Sequence, residues 1–581
     1  MNKILSLYDN IDAYKLGEAP KNKIIRLHLN ESLFTIPKEI VNSVILRESD
    51  IHSYPDDTDI DTTLKQSLSS YSDIPPDSIL ISNGSDNALK LCVDTIVERD
   101  DNVLVFLPTY THFLQFLSIK GANIVQLYIK DITIDTVIAN IEKHRPVVVY
   151  ICSPNNPCGY IWEPSTVELL SSRFPNSFFI VDEAYYEFGG KSCSALVKKH
   201  DNIIVTRTFS KSFGLAGLRI GYLISNTKLI NIFNNLYNPK NVLTISKKAA
   251  ILCLTRYIDS FKDNINIVMH CKKILSNSLY LVPNIEDVVN KGGNFVLIKS
   301  SMDSKELCSE FEKEGIIVRD RGYIETLEKY IRVSVNDLTC TYNMFNAMLN
   351  IMNKAVVSKC NHAVILAAGM GTRMGIDKPK CMIKINGVTI IERQLTILNN
   401  LGINNITVVT GYKREIIENL VKNKYGVKCI YNEDYEKYNN WKSLLIGIKN
   451  VNDNTIIIDG DLVFNKRILE SLLKCNDESC MVIDSNKIYS DESMRVSVEN
   501  AYINSISKKY PNSYGEYIGI ARINNKNLDC LRDSLENSAD DDYYDTHIVK
   551  SVKCRVLDTF GFEWIEVDTR DDCDEMMDMF L

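Results

Sequence analysis

Four runs in the first half of the chain are built on consecutive rather than alternating apolar residues: NVLVFL (102–107), PVVVYIC (146–152), SFFIVDEAY (177–185) and NIIVTRTF (202–209). A strand reads this way only when both its faces are covered, which is the signature of a parallel sheet sandwiched between helices. Segments of helical period lie between the runs, as in ALKLCVDTIV (88–97). The second half repeats the pattern with HAVILAAG, NITVVTGY and NTIIIDGD, separated by segments such as ERQLTILNNL. The alternation predicts βαβ units and an α/β fold class throughout. It breaks once, near 340–362. CTYNMFNAMLNIMNKAV reads as a last helix, VSKCNH as a connector and HAVILAAG as a fresh first strand. Two domains are expected, 1–355 and 361–581, with 356–360 as linker.

Composition narrows the function classes. The 581 residues carry a net charge of -8 and no long basic run, which argues against nucleic acid or an anionic membrane as partner. The 16 cysteines form no CxxC pair, so structural zinc is not expected and reduced thiols of a cytoplasmic protein are. No run of about 18 apolar residues suggests a membrane span.

Between the strands of the first half lie residues that scaffolding alone does not call for. SNGSDN (82–87) runs into a helix and offers Gly84, Ser85 and Asp86 at its start, where free N–H groups and the helix dipole suit a phosphate. Tyr110 follows one strand in LPTYTHF and Asn156 another in SPNNPCGY. Asp182 ends a very apolar strand, a costly place for a carboxylate unless it meets a cation. TFSKSFGLAGLRIGY (208–222) then supplies Lys211 and Arg219. A lysine, a buried acid, an aromatic ring and a phosphate cup are the set that pyridoxal phosphate requires.

In order along the chain, LHLNES, HSYPDD, SNGSDNALKL, PTYTHF, SPNNPCGY, VDEAYYEF, TFSKSFGLAGLRIGY, GGNFVLI, GIIVRDR and YIRVSV resemble the fold-type I pyridoxal-phosphate aminotransferases, nearest the histidinol-phosphate aminotransferases and threonine-phosphate decarboxylases. The resemblance implies a large mixed-sheet domain with a small α+β domain. It makes Lys211 the Schiff-base lysine and Asp182 the partner of the pyridinium nitrogen. Tyr110 stacks on the ring, Asn156 and Tyr185 bind its hydroxyl, and Gly84, Ser85, Asp86, Ser210 and Arg219 surround its phosphate. Tyr54 reaches that phosphate from the second subunit of a homodimer. Asn30, Arg319 and Arg332 face the substrate, with the arginines suited to a carboxylate or a phosphate.

The second half opens with HAVILAAGMGTRMGIDKPK, a strand running into glycines, then Arg373 and Lys380. Glycines let backbone approach a triphosphate, and the two cations neutralise it. NTIIIDGDLVF and FEWIEVDTRDD add Asp461 and Asp568. Oxygen ligands at strand ends suit Mg²⁺. With YGVKCIYNEDYEKYNNWKSLLIGI, these pieces resemble the phosphocholine and phosphonate cytidylyltransferases, a branch of the Rossmann-like nucleotidyltransferases. The resemblance implies nucleotide binding by Leu366, Ala367, Ala368, Gly369, Gly371, Thr372, Arg373, Lys380 and Asn440, with CTP as donor. It implies Mg²⁺ on Asp461 and Asp568, and catalysis by Arg373 and Lys380. In ADDDYYDTHIVKS (539–551), Tyr543, Tyr544 and Asp545 are expected around a cationic substrate.

Joined, the halves suggest a bifunctional enzyme. Transamination from glutamate, alanine or a similar donor forms 2-aminoethylphosphonate, ethanolamine phosphate or serinol phosphate, and cytidylyl transfer from CTP activates it. Three alternatives stay open: an O-phospho-amino-acid decarboxylase in the first half, a true histidinol-phosphate aminotransferase beside a sugar- or choline-phosphate nucleotidyltransferase, or one half retained only for binding.

Overall fold

A computed structural model describes residues 25–43, 52, 54–55, 58–353, 360–371, 377–486, 490, 492–510 and 513–580. Contacts divide the chain into two compact units, residues 1–273 with 286–340, and 274–285 with 341–581. Among the described residues no helix is long and apolar enough to cross a membrane.

The first unit is built on a seven-stranded sheet. Its strands run, edge to edge, Ile79–Ser82, Gly221–Ile224, Ile203–Thr208, Phe178–Asp182, Val148–Cys152, Asn102–Leu107 and Asn123–Tyr128. All pairings are parallel except those of Gly221–Ile224, which runs antiparallel to both neighbours. The continuous apolar runs are explained by the two cores. Leu104, Phe106, Val149, Ile151, Phe179 and Val181 enter one core, while Val103, Val105, Val148, Tyr150 and Ile180 enter the other. Side chains alternate across a strand, so burial on both faces leaves no polar positions until the strand ends.

At those carboxyl ends the polar residues begin. Asp182 closes one strand, and Glu183 follows it on the opposite face, where it forms a fully buried ion pair with Arg207 (2.9 Å). The Arg207 guanidinium also covers the Tyr186 ring at 3.9 Å. A second, four-stranded antiparallel sheet orders Arg319–Asp320, Tyr330–Ser334, Phe295–Ser300 and Ile285–Val289, and its register sets Arg319 directly opposite Arg332. Ile25–Arg26 pairs in parallel with Ile316–Ile317, which aims the following residues, 27–30, at the ends of the large sheet's strands.

The second unit carries a nine-stranded mixed sheet. His362–Ala367 lies near its centre, between the parallel strands Asn405–Thr410 and Thr455–Asp459. Gly515–Ile523 then runs antiparallel to Thr455–Asp459. A two-stranded ladder sets Leu462 opposite Glu566 and Phe464 opposite Trp564. This ladder brings together segments about a hundred positions apart and places Asp461 beside Asp568.

Removing one partner of a buried ion pair leaves the other charge stranded in low dielectric. Arg207→Met is expected to destabilise the first unit by about 3–5 kcal/mol, measured as a lowered denaturation midpoint of its unfolding transition.

Candidate active sites

The pocket of the first unit opens where the strands of the large sheet end. Lys211, Asp182, Asn156, Tyr185, Tyr110, Ser85, Asp86, Ser210, Arg219, Arg319 and Arg332 all line it. The sequence scatters these residues over more than 240 positions, and parallel strand ends bring them together.

Asp182 is 3% exposed. Its carboxylate accepts hydrogen bonds from the Tyr150 hydroxyl (2.9 Å), the Ala184 N–H (3.2 Å) and the Thr206 hydroxyl (3.4 Å). Burial pushes its pKa up to about 6, against the pull of those donors. Tyr150 is itself clamped by stacking on Phe113, with ring centroids 3.7 Å apart. The half-buried Lys211 donates to the Leu29 carbonyl (2.9 Å), and its ammonium stands 5.5 Å from the centre of the Tyr185 ring. The Tyr185 hydroxyl accepts from the Asn30 amide (3.0 Å). Arg332 is buried; it donates to the Asn156 side-chain oxygen and to the His28 carbonyl (2.7 Å).

The phosphate end is built from a helix start and two polar side chains. The helix Gly84–Ile96 begins at Gly84, whose backbone is left-handed at φ +76°. A Cβ at that glycine would lie 2.8 Å from the Arg219 guanidinium and displace it, and the positive φ itself favours glycine. Arg219 reaches Ser210 Oγ (3.3 Å) and Asp86 (3.4 Å), and Asp86 accepts from the Tyr110 hydroxyl (2.9 Å). Asn30 and Arg219 hold left-handed backbone themselves, at φ 56° and 47°. Non-glycine residues rarely adopt it except where the surroundings impose it, often at functional sites. A free N-terminal turn, a guanidinium, a buried acid and a lysine in one pocket fit pyridoxal phosphate. Tyr54 is 69% exposed and lies against Lys240, outside its own chain's pocket.

In the second unit the glycine loop leaves the central strand. Gly460 N–H donates to Leu366 O (2.9 Å), and Tyr412 N–H to Ala368 O (3.1 Å), fixing where the loop departs. Gly371 has φ +61° and packs so tightly on Lys380 that a Cβ would meet its stem at 2.9 Å. Gly369 faces open space. Thr372 and Arg373 lie outside the described residues. Lys380 pairs with Asp461 at 3.0 Å and with Asp568. Burial opposes its charge, but those two carboxylates hold the ammonium above its ordinary pKa. Carboxylate oxygens of Asp461, Glu566 and Asp568 all lie within 4.8 Å of one another, a donor set suited to a hard divalent cation.

The segments 439–441 and 540–544 are laced together beside this cluster. Asn439 N–H and the Trp441 indole N–H donate to Asp540 O, and the Asn440 side-chain oxygen accepts from Tyr544 N–H (3.0 Å). Tyr544 differs from the aromatic wall expected from sequence. It is 1% exposed, and its hydroxyl donates to Asp459 (3.0 Å). The Lys508 ammonium lies 5.0 Å from the Tyr543 ring centre. Asp545 is 4% exposed, burial pushes its pKa up to about 7, and one of its oxygens has no hydrogen-bond partner.

Comparison with known proteins agrees with this division. Residues 22–343, over half of the chain, match the aminotransferase class I and II family model. The chain belongs to that family. Residues 363–491 match the MobA-like NTP transferase domain, so an aminotransferase is followed by a nucleotidyltransferase domain in one polypeptide. A histidinol-phosphate aminotransferase of Thermoanaerobacter sp. (strain X514) is 30% identical over 332 residues, covering 56% of this chain and 93% of the relative. A dihydroxyacetone phosphate transaminase of Campylobacter jejuni is also 30% identical over 332 residues, covering 55% and 88%. The crystal structure of histidinol-phosphate aminotransferase from Sinorhizobium meliloti in complex with pyridoxal-5'-phosphate superposes with a TM-score of 0.53 at 23% identity, over 60% of this chain and 97% of that one. That likeness shows the fold of the aminotransferase part.

Sequence reading missed several side chains at the two sites. Tyr150 carried a signal, a lone hydroxyl inside the apolar run VVVYIC, since a buried tyrosine needs a partner. Its partner is the acid that ends the neighbouring strand. Arg321 lines the aminotransferase pocket and sits two residues after Arg319 in GIIVRDR, so a strand pattern puts both on one face. Glu566 stands two residues before Asp568 in IEVD for the same reason.

Two outcomes are expected. Asp182 is protonated more readily in the folded chain, about pH 6, than in an unfolded one, near 3.8, so its burial costs stability progressively as pH rises between those values. Asp182→Asn should therefore stabilise the cofactor-free protein more at pH 7.5 than at pH 4.5, by on the order of 2 kcal/mol in denaturant titrations, while abolishing transamination. Glu566→Gln should raise the Mg²⁺ concentration for half-maximal pyrophosphate release by roughly tenfold or more and leave transamination unchanged.

Proposed function

We propose that the chain is a bifunctional enzyme that makes a small phosphorylated amine by transamination and then couples it to CMP. Pyridoxal phosphate is the proposed cofactor of the first reaction and Mg²⁺ of the second, with CTP as nucleotide and glutamate, alanine or a similar amino acid as donor. The observation that carries the reading is the pairing, in one polypeptide, of the Lys211–Asp182 pocket with the Lys380–Asp461–Glu566–Asp568 cluster.

Among the candidate amines, serinol phosphate is favoured. Transamination of dihydroxyacetone phosphate, the substrate in the name of one 30% relative, replaces the C2 carbonyl by an amine and yields serinol phosphate. Histidinol phosphate, in the name of another, likewise carries its amine one carbon from a phosphate ester. Ethanolamine phosphate shares that fragment. 2-Aminoethylphosphonate lacks the ester oxygen and ranks third.

In the aminotransferase site the bound cofactor supplies an electron sink for the substrate carbon's electrons. The chain supplies the rest. Lys211 Nζ takes the proton from the substrate carbon and returns it. Asp182, kept in place by Tyr150, would hold a proton on the cofactor's ring nitrogen. Asn156 and Tyr185 would orient the ring, and Tyr110 would stack on it. The first turn of Gly84–Asp86, with Ser210 and Arg219, takes the phosphate, assisted by Tyr54 of the second subunit in a homodimer. Asn30, Arg319 and Arg332 bind donor carboxylate and substrate phosphate in turn.

In the nucleotidyltransferase site, residues 366–373 and Lys380 receive the triphosphate, and Asn440 meets the base. Asp461, Asp568 and Glu566 hold the metal. A phosphate oxygen of the amine attacks the α-phosphorus of CTP, the α–β bridging P–O bond breaks, and pyrophosphate leaves. Positioning and charge neutralisation supply most of the rate. Asp545, a buried acid beside Tyr543, meets the substrate ammonium.

The test is a panel of CTP, UTP, GTP and ATP against serinol phosphate, ethanolamine phosphate and 2-aminoethylphosphonate, reading pyrophosphate release. The highest kcat/KM is expected for CTP with serinol phosphate, with complete loss on chelating divalent metal. A stronger response to another nucleotide, or none with any of the amines, overturns the reading.

A further inference from the structure

His28 lines the aminotransferase pocket, although nothing in the sequence marked it. It stands at the head of a short strap, 28–30, whose three residues are each tied to the site. The His28 carbonyl accepts from Arg332, the Leu29 carbonyl accepts from Lys211, and the Asn30 amide donates to Tyr185. The strap therefore cannot drift without moving the catalytic lysine's partner. The imidazole is 6% exposed, and its Nδ1 has no hydrogen-bond partner.

A buried polar nitrogen left unpaired costs free energy, and because the ring lines the pocket, turning it can offer that nitrogen to a group the ligand brings. The surroundings say which group. Burial and the charges of Arg26, Arg319 and Arg332 push the imidazole pKa down to about 4, so the ring is neutral at working pH. Anionic oxygens are better served by the guanidiniums around it. A neutral imidazole has one donor and one acceptor nitrogen, and a hydroxyl can answer either. A half-turn of the ring about Cβ–Cγ keeps its outline, so either nitrogen can face the cavity.

We infer that His28 is a specificity-determining residue that hydrogen-bonds the free hydroxyl of a three-carbon phosphorylated substrate. The inference rests on the substrate reading above, in which serinol phosphate carries such a hydroxyl and ethanolamine phosphate does not. One arm of the substrate, the phosphate ester, goes to arginine; the other, the hydroxymethyl group, goes to His28. A site with a polar group reserved for a hydroxyl disfavours the analogue without one, because that analogue leaves the reserved group unpaired.

The experiment compares kcat/KM for serinol phosphate and ethanolamine phosphate as amino donors to pyruvate and 2-oxoglutarate, in holoenzyme of wild type, His28→Leu and His28→Gln. Wild type should prefer serinol phosphate. His28→Leu should lower that preference roughly 10- to 100-fold, through loss on serinol phosphate, with ethanolamine phosphate changed by less than about threefold. His28→Gln, which keeps a donor and an acceptor, should recover part of the preference. If both variants keep the wild-type ratio, or both substrates fall together, His28 does not read the hydroxyl, and the proposed reaction stands without it. If wild type transaminates ethanolamine phosphate but not serinol phosphate, the substrate reading fails and takes the inference with it.

Discussion

The Asp182 carboxylate sits at the end of a strand with apolar neighbours on both faces, three hydrogen-bond donors aimed at it and, among the described residues, no cation paired with it. Left alone, such a group prefers to be neutral. A cationic ring nitrogen placed against it would reverse that preference, since an opposite charge favours ionisation. In the proposed reading, the stability that burial withholds from the carboxylate alone would be available to the bound cofactor. Much of the surrounding architecture serves this one carboxylate. The parallel sheet puts its strand end in the pocket, Tyr150 and Phe113 fix its orientation, and the Glu183–Arg207 pair anchors the next residue on the opposite face.

The nucleotidyltransferase domain solves a related problem with the opposite inventory. Three carboxylates crowd one point, and a lysine ammonium partly neutralises them. Such a cluster is unfavourable without a cation. The short ladder between Leu462–Phe464 and Trp564–Glu566 nevertheless enforces it by pairing residues a hundred positions apart. One site therefore buries a single carboxylate, and the other gathers three around one lysine. In the proposed reading, the two chemistries meet in a common reactant, an amine carrying a phosphate.

The strands and their parallel order were legible because burial on both faces erases the polar half of the strand pattern. The main pocket residues were legible because they fall at strand ends and in glycine turns, where local rules permit little else. Tyr544 shows the limit. Its neighbourhood, ADDDYYDT, reads as a polar, aromatic surface, but the fold turns the ring inward and spends its hydroxyl on Asp459. The direction of a side chain near a helix start depends on packing against distant strands, here Tyr517 on Gly515–Ile523, which no local pattern encodes. His28 and Arg321 were missed for a similar reason. His28 lies on a strap whose facing residue, Arg332, is about three hundred positions away, and Arg321 just past a two-residue strand, so only the register reveals which side faces the pocket.

The most direct measurement of the central claim is a single incubation of the protein with an amino donor, dihydroxyacetone phosphate, CTP and Mg²⁺, followed by mass spectrometry for a CDP-linked amino alcohol. The account predicts that wild type forms it, that Lys211→Ala and Asp461→Ala each fail alone, and that the two variants mixed restore it. Formation of the product by Lys211→Ala, or its absence from wild type while pyrophosphate is still released with added serinol phosphate, would contradict the claim that one polypeptide performs both steps.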